Sequence, residues 1–318
     1  MNKKILCILL SLTVFISGCS SADPDIISYQ SNETKTVSLT EDTQEDLFSN
    51  KLAVVDENKQ DSKDSTMTSS ASILVDRSTK EVLYANNVFE RLYPASLTKL
   101  ATALMVFRYG NLDDIVTISY DASHITEPGA KLCGFSEGDK VSLNTLLNCM
   151  LVYSGNDAAT AIADHLFENE TTFCEKVNQE LKTLGATNTH FVNSHGLDEK
   201  EHYTTAYDLY LIFNALFEYD QFKTIINEAS YKAEYSTKDG RQVLKYFANT
   251  NQYLSGLTEA PDHITVIGGK TGTTDLAGNC LILYSTDESN KEYISLVLNA
   301  NGKVDLYKQM NYLLSKIK

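Results

Sequence analysis

Short apolar runs typical of β-strands lie at both ends of the folded part of this chain. Two of them, residues 73–76 and 82–85, flank a polar turn near its start. Three more, residues 264–267, 280–285 and 293–299, lie in its last part, and the final two predict a hairpin. Strands from both termini predict one antiparallel sheet that is built from both chain ends.

Runs with helical spacing of apolar residues lie between these strands. One follows Ser96, with Leu100, Ala103, Leu104 and Phe107 on one face. The other predicted helices are residues 143–153 (with Ser142 as the cap), 158–167, 173–184, 205–217 and the terminal 304–317. We therefore expect an α/β (α+β) domain, in which an inserted helical region faces the sheet across a cleft that binds the ligand.

The N-terminus has the pattern of a secretory signal, with Lys3 and Lys4 before an apolar run that is too short to span a bilayer. Its end, residues 16–19 (ISGC), resembles the bacterial lipobox, in which the cysteine becomes the lipidated first residue. An ordinary signal peptide with an incidental cysteine is the alternative. We expect a signal at residues 1–18, a lipidated Cys19 with a disordered acidic tether through residue 69, and a catalytic domain at 70–318.

Charge and cysteine content exclude some kinds of partner. The chain has a net charge of -15, and its phosphate-repelling surface makes nucleic acid an unexpected ligand. Beyond Cys7 and Cys19, the cysteines show no zinc-ligand spacing, and their apolar neighbours favour buried packing. A disulfide among them is permitted outside the cell but is not established. These cysteines are Cys133, Cys149, Cys174 and Cys280.

The first chemical motif is Ser-x-x-Lys, formed by Ser96 and Lys99 at the start of a predicted helix. Residues three apart share a helix face, so the lysine amine can reach the serine hydroxyl. A serine nucleophile needs a base, and a lysine with a lowered pKa can serve as one. Taken alone, the same pattern also fits a capping serine beside a solvated lysine.

Two further motifs are weak evidence for a catalytic site when each is taken alone. Ser154 and Asn156 form a Ser-x-Asn between two predicted helices, where both side chains can enter a cleft. Lys270, Thr271 and Gly272 form a Lys-Thr-Gly at the end of a β-rich run, where a strand would line one cleft wall. The alternative for this last motif is that it has no catalytic role and only marks the place where a strand ends in a turn.

The three motifs occur in the order Ser-x-x-Lys, Ser-x-Asn, Lys-Thr-Gly. This order resembles that of the penicillin-binding proteins and serine β-lactamases. Four longer stretches resemble those of the low-molecular-weight D-alanyl-D-alanine carboxypeptidases, the S11 serine peptidases. They are residues 93–99 (YPASLTK), 151–159 (LVYSGNDAA), 193–197 (NSHGL) and 269–273 (GKTGT). The resemblance covers residues 70–318 and implies a β-lactamase/DD-peptidase-like fold.

The resemblance also implies roles for individual residues. Ser96 would form the acyl-enzyme, Lys99 would be its base, and Ser154 would relay a proton to the leaving amine. It implies no metal and no cofactor. The implied substrates are peptidoglycan stem peptides ending in D-Ala-D-Ala, and the implied covalent inhibitors are β-lactams. The role of His195 stays open between a cleft wall and a structural histidine.

The implied binding residues lie in the second and third motifs. Asn156 would hold the substrate amide and orient the base. Lys270 and Thr271 would bind the terminal carboxylate, beside Gly272. The backbone N–H groups of Thr273 and of the nucleophile would form the oxyanion hole.

Several other functions compete with this one. A class A β-lactamase would need an acid within residues 187–193, but Glu180 and Glu199 are the nearest. The middle residue of Ser-x-Asn is Gly155 and not the aspartate typical of those enzymes, so both points favour the peptidase. A penicillin-sensing module is disfavoured because we find no membrane-spanning segment after residue 19. A pseudoenzyme is disfavoured because each motif is complete. Endopeptidase activity on cross-links stays open.

Overall fold

The computed structural model describes residues 53–55 and 65–318. These residues belong to one compact unit. The predictions for the signal peptide, for Cys19 and for most of the tether lie outside the described residues. Within the described part of the chain, no helix is both long enough and apolar enough to cross a bilayer.

The elements of this unit are nine strands and eight α-helices among the described residues. The strands are β1 (Ala71–Asp76), β2 (Val82–Asn86), β3 (Ile115–Thr117), β4 (Lys140–Ser142), β5 (Ser230–Ser236), β6 (Gln242–Ala248), β7 (Ile264–Thr274), β8 (Gly278–Asp287) and β9 (Glu292–Ala300). The helices are α1 (Lys99–Tyr109), α2 (Tyr120–Ser123), α3 (Leu143–Asn148), α4 (Asn156–Phe167), α5 (Glu170–Thr183), α6 (Ala206–Leu216), α7 (Asp220–Ile226) and α8 (Lys303–Leu314).

One antiparallel sheet joins the two ends of the domain, as the sequence predicts. Its strand order is β2-β1-β9-β8-β7. The first strand pairs with the last along its whole length, from Ala71 opposite Leu298 to Asp76 opposite Tyr293. The predicted hairpin is also present, with Leu281 opposite Val297. The predicted α/β class, with one antiparallel sheet from both chain ends, is confirmed.

Both faces of this sheet are covered. In β1, Ile73 and Val75 face the large core formed with α1 and α6, whereas Leu74 faces a second core. That second core packs the sheet against α8 through Leu306 and Met310. A strand buried on both faces must be apolar at nearly every position, which is why β1 reads as a continuous apolar run.

The helical region follows the predicted spans closely. Ser142 caps α3, since its Oγ accepts a hydrogen bond from the N–H of Thr145. Thr205 caps α6 in the same way. The predicted helix 143–153 changes character part-way, because α3 ends at Asn148 and a π-helical turn, Cys149–Tyr153, completes it. The Ser-x-Asn motif follows directly after this turn.

The expectation of a purely helical middle region was incomplete, because the region also contains a second sheet, in the order β3-β4-β5-β6. Two of its strands are three residues long and give almost no periodic signal. Strand β5 gives a clearer signal of alternation, since Ala233 and Tyr235 are buried while Lys232 and Glu234 are exposed. Strands β5 and β6 of this small sheet pack against the π-helical turn.

Contacts of the folded unit also involve residues upstream of residue 70. The N–H groups of Thr68 and Ser69 both donate to Oε1 of Gln309 on α8. Ala53 is buried, and its carbonyl accepts a hydrogen bond from the Tyr207 hydroxyl. The chain that enters the domain is thus attached to it at two places.

Candidate active site

Lys99 is fully buried at the start of α1, directly after a 3₁₀ turn, Ala95–Thr98, that carries Ser96. Its Nζ lies 2.9 Å from Ser96 Oγ, 2.7 Å from Asn156 Oδ1 and 2.5 Å from the backbone oxygen of His195. The predicted pairing of serine and lysine is present, and the alternative of a solvated lysine does not describe this site.

These three contacts orient the amine. Asn156 Oδ1 and the His195 carbonyl can only accept hydrogen bonds, so they take two N–H groups of Lys99. When Lys99 is neutral, its lone pair is left for the third direction, where the Ser96 hydroxyl can donate to it. Burial lowers the pKa of Lys99 to about 7, although the Asp157 carboxylate opposes this change. The arrangement is that of a serine and its base.

Ser154 and Asn156 lie at the junction between the π-helical turn and α4. Ser154 has a left-handed backbone with φ of 74°, and Asn156 is the first residue of α4. A side chain at Gly155 would collide with Cys133, whose Sγ lies 2.3 Å from the position of an added Cβ. The departure from the aspartate of class A β-lactamases therefore has a packing reason here.

Lys270 lies in β7 and is buried, so the Lys-Thr-Gly motif is part of a strand and not a turn exit. Its Nζ donates to Ser154 Oγ at 2.8 Å and to the carbonyl of Thr271 at 2.9 Å. Burial and the charge of nearby Lys99 lower the pKa of Lys270 well below its ordinary value. An arriving carboxylate would favour its ammonium form, because an opposite charge stabilises a cation.

The segment after Lys270 lies against the serine turn. A Cβ added to Gly272 would be 3.1 Å from the backbone nitrogen of Ser96. Such a contact is tighter than most real Cβ contacts, so glycine lets the strand lie close to the serine turn without crowding it. Thr273 follows it in β7, so the two backbone segments expected to form an oxyanion hole are neighbours.

His195 lies on the segment 193–197, which contacts Lys99. Its Nδ1 accepts a hydrogen bond from the N–H of Leu197, and burial lowers its pKa to about 3. The ring is therefore neutral near pH 7, and its 3.8 Å approach to Glu170 is not an ion pair. Ser194 anchors the segment on Glu170 through its N–H and its hydroxyl, at 2.8 and 2.7 Å.

Two buried side chains that the sequence analysis missed support this geometry. The Asp157 carboxylate accepts hydrogen bonds from the N–H groups of Cys133 and Gly134 at 2.9 and 2.8 Å. His202 Nδ1 accepts from the Val192 N–H, so its Nε2 carries the proton and donates to Thr98. Only the position of Asp157 beside the Ser-x-Asn motif could have indicated its role.

A cavity of about 290 Å³ lies over these groups. The predicted site residues that line it are Ser96, Ser154, Asn156, Thr271, Gly272 and Thr273. His195 lines it as well, and so does Thr250, which accepts a hydrogen bond from the Thr271 hydroxyl at 2.5 Å. The structure thus brings all three motifs together around one cavity.

The four cysteines of the described domain are buried and free. They are Cys133, Cys149, Cys174 and Cys280. Burial raises the pKa of Cys174 and of Cys280 to about 12, which keeps both thiols protonated. They are packing residues, as their apolar neighbours predict.

Comparison with known proteins gives a consistent result. A profile of D-alanyl-D-alanine carboxypeptidases matches residues 57–302. The D-alanyl-D-alanine carboxypeptidase DacD of Salmonella typhimurium is 34% identical over 253 residues, which are 77% of this chain and 61% of that protein. DacF of Bacillus subtilis, another D-alanyl-D-alanine carboxypeptidase, is 31% identical over 73% of this chain and 57% of its own length.

Solved structures agree with the sequence relatives and confirm the expected DD-peptidase-like fold. The crystal structure of the Streptomyces K15 DD-transpeptidase has a TM-score of 0.70 and 30% identity, covering 78% of this chain and 98% of that one. By contrast, this chain spans only about three fifths of the length of the two carboxypeptidases.

Gly196 is predicted to be a position where alanine is poorly tolerated. Its φ is +92°, and an added Cβ would lie 1.8 Å from the Ala95 carbonyl oxygen, on the turn that carries Ser96. Gly240 is the matched control, since its φ is +84° but nothing lies within 4 Å. Gly240→Ala should lose about 1–2 kcal/mol for the backbone alone. Gly196→Ala should lose clearly more in urea denaturation, and equal losses would contradict this packing.

Proposed function

The chain belongs to the D-alanyl-D-alanine carboxypeptidase family, and we propose that it is a serine-type D-Ala-D-Ala carboxypeptidase. It would remove the terminal D-alanine from peptidoglycan pentapeptide stems through an acyl-enzyme on Ser96. The observation that carries this proposal is the 2.9 Å contact between Lys99 Nζ and Ser96 Oγ. The other two contacts of Lys99 leave its lone pair directed at that hydroxyl.

Acylation would begin with attack of Ser96 Oγ on the carbonyl carbon of the penultimate D-alanine. Lys99 Nζ takes the hydroxyl proton as the new C–O bond forms. The carbonyl oxygen becomes an oxyanion, which the N–H groups of Ser96 and Thr273 stabilise. Asn156 holds the substrate amide and keeps Lys99 in place.

Collapse of this intermediate would break the C–N bond to the terminal D-alanine. The Ser154 hydroxyl donates its proton to the departing amine, and the proton held by Lys99 replaces it. The hydrogen bond from Lys270 to Ser154 Oγ keeps that hydroxyl proton directed away from Lys270 and toward the cavity. Water then attacks the ester, with neutral Lys99 again available as base.

The terminal carboxylate would be recognised by Lys270 and Thr271. Two N–H groups of the Lys270 ammonium are used by Ser154 and by the Thr271 carbonyl, so a third is available to a ligand. A charge-assisted hydrogen bond to a carboxylate is about twice as strong as a neutral one. This selects peptides with a free C-terminus.

The cavity also disfavours a β-lactamase. Within the described part of the chain no carboxylate lines it. Glu180 pairs with Arg108 instead, and Glu170 is engaged by Ser194. Without an acid to activate water on a bulky adduct, we expect a β-lactam to remain attached to Ser96. β-Lactams would then be covalent inhibitors and not substrates.

Lys270→Ala should sharply reduce kcat/KM for a peptide that ends in free D-Ala-D-Ala. A buried carboxylate that loses its cation costs about 2–5 kcal/mol, or roughly 30- to several-thousand-fold in rate. Lys270→Arg should restore activity only partly, because a planar guanidinium does not replace a compact ammonium. The measurement is D-alanine release, with mass spectrometry of the shortened peptide.

The same peptide with an amidated C-terminus is the control substrate, and Lys308→Ala is the control variant, because Lys308 is an exposed lysine outside the cavity. Wild type should cleave the amide poorly, and Lys270→Ala should lower that rate much less than it lowers the rate for the free acid, because the amide loses only the orientation of Ser154. If the wild type cleaves both peptides equally fast, the carboxylate is not recognised. The enzyme would then be an endopeptidase on cross-links.

We further propose that the enzyme acts outside the cytoplasm, held to the cell membrane by lipid on Cys19. The lipobox-like residues 16–19 and the preceding apolar run support this proposal. A diacylated cysteine supplies two chains, which is enough for stable anchoring. The acidic segment that follows would hold the domain away from the bilayer.

Cys19→Ser should remove the lipid, because the thiol is the acceptor. In cells fed radiolabelled fatty acid, wild type should carry the label and fractionate with membranes, while the variant should do neither. Equal label on both proteins would contradict the anchor. Ser17→Thr, two residues upstream, is a control that keeps the thiol.

A further inference from the structure

The active-site cavity contains two lysines that the proposed reaction does not use. Lys131 reaches it from the segment between α2 and β4, and Lys303 reaches it from the first residue of α8. No carboxylate from the described residues lines the cavity beside them. In a chain with a net charge of -15, this is a local concentration of positive charge at the place where substrate must enter.

Lys131 is held in place by the catalytic framework. Its carbonyl accepts a hydrogen bond from the Asn156 N–H at 2.7 Å, and Asp157 fixes the residues that follow it. Its Nζ lies 4.1 Å from the centre of the Tyr153 ring, a cation–π contact. Asn156 and Asp157 therefore hold the backbone at and after Lys131, and the Tyr153 ring contacts its ammonium.

Lys303 lies in an unfavourable position for a cation. It begins α8, where the helix dipole is positive and acidic side chains are preferred. Two residues of the same helix, Leu306 and Tyr307, line the cavity, so the N-terminal part of α8 forms part of its wall. The exposed Lys303 side chain extends this wall outward.

Neither lysine pairs with an anion among the residues that the structure describes. None of the ion pairs within the described part of the chain includes Lys131 or Lys303. The two cations act on each other, since burial and then the charge of Lys303 lower the pKa of Lys131. A shared anion would relieve this repulsion.

We propose that Lys131 and Lys303 form a second anion subsite, which binds a carboxylate on the stem peptide upstream of the scissile bond. This inference rests on the proposed function. The terminal D-alanine has a single carboxylate, and Lys270 with Thr271 binds it. A second anion must therefore belong to the acyl-donor part of the peptide. The substrate class is an acidic stem whose side-chain carboxylate is free and not amidated.

The test compares matched N-acetylated peptides that end in D-Ala-D-Ala. Each pair carries glutamate or glutamine at one of the two residues before the penultimate D-alanine. Wild type should cleave the glutamate peptide of at least one pair with kcat/KM about tenfold higher, mainly through KM, because the contact is made in the ground state and the transition state alike. The preference should shrink at high salt, which screens exposed charges.

Lys303→Met and Lys131→Met should each bring the glutamate-to-glutamine ratio close to one, and Lys308→Met on the same helix should leave it unchanged. The ratio is the readout because Lys131 also affects the pKa of Lys99, which changes both rates equally. The exposed Lys303 keeps the test valid if Lys131→Met does not fold.

The possible failures are distinguishable. If wild type releases D-alanine equally from both members of each pair, the subsite is overturned and the carboxypeptidase proposal stands. A ratio that survives both substitutions also overturns it. If wild type releases D-alanine from none of the peptides, the proposed function fails and the subsite fails with it.

Discussion

The buried amine of Lys99 is the group around which this domain is organised. A lysine in water holds its proton at neutral pH, and taking its charge into a protein interior is costly. Here α1 supplies the amine, α4 supplies an amide oxygen through Asn156, and the segment 193–197 supplies a carbonyl from His195. Without either acceptor, the amine would lose a hydrogen bond that directs its lone pair toward Ser96. The sheet matters to the chemistry because β7 closes the remaining side and brings Lys270 to Ser154.

Much of this arrangement could be predicted from sequence, and the reasons are physical. A central strand such as β1 must be apolar on both faces, and a helix such as α3 needs a cap such as Ser142, so both leave local signals. The three motifs were predictable because each places a reactive group at a recognisable spacing. The small second sheet left a weaker signal, since its short strands β3 and β4 hold only three residues each.

The residues whose roles could not be predicted from the sequence act through contacts with residues far away in the chain. His202 holds Thr98 from more than a hundred positions away, as their hydrogen bond joins residues with a separation of 104. Asp157 looks like any helix-terminal acid until the residues 133–135 fold onto it. The same holds for Lys131 and Lys303, which lie on separate elements and share one cavity only in the folded chain. Tertiary contact, and not local propensity, gives these residues their roles.

The pH dependence of β-lactam acylation, with the adduct located by peptide mass spectrometry, tests the role of Lys99 most directly. Lys99 is a base only when it is neutral, and its pKa is about 7. We expect one adduct, on the peptide that contains Ser96, and a rate constant that rises as pH increases through about 7 before reaching a plateau. Ser96→Ala should carry no adduct at any pH. A rate that does not change between pH 5 and 9 (roughly two units on either side of that pKa), or an adduct on another serine, would contradict the assignment of Lys99 and Ser96 as base and nucleophile.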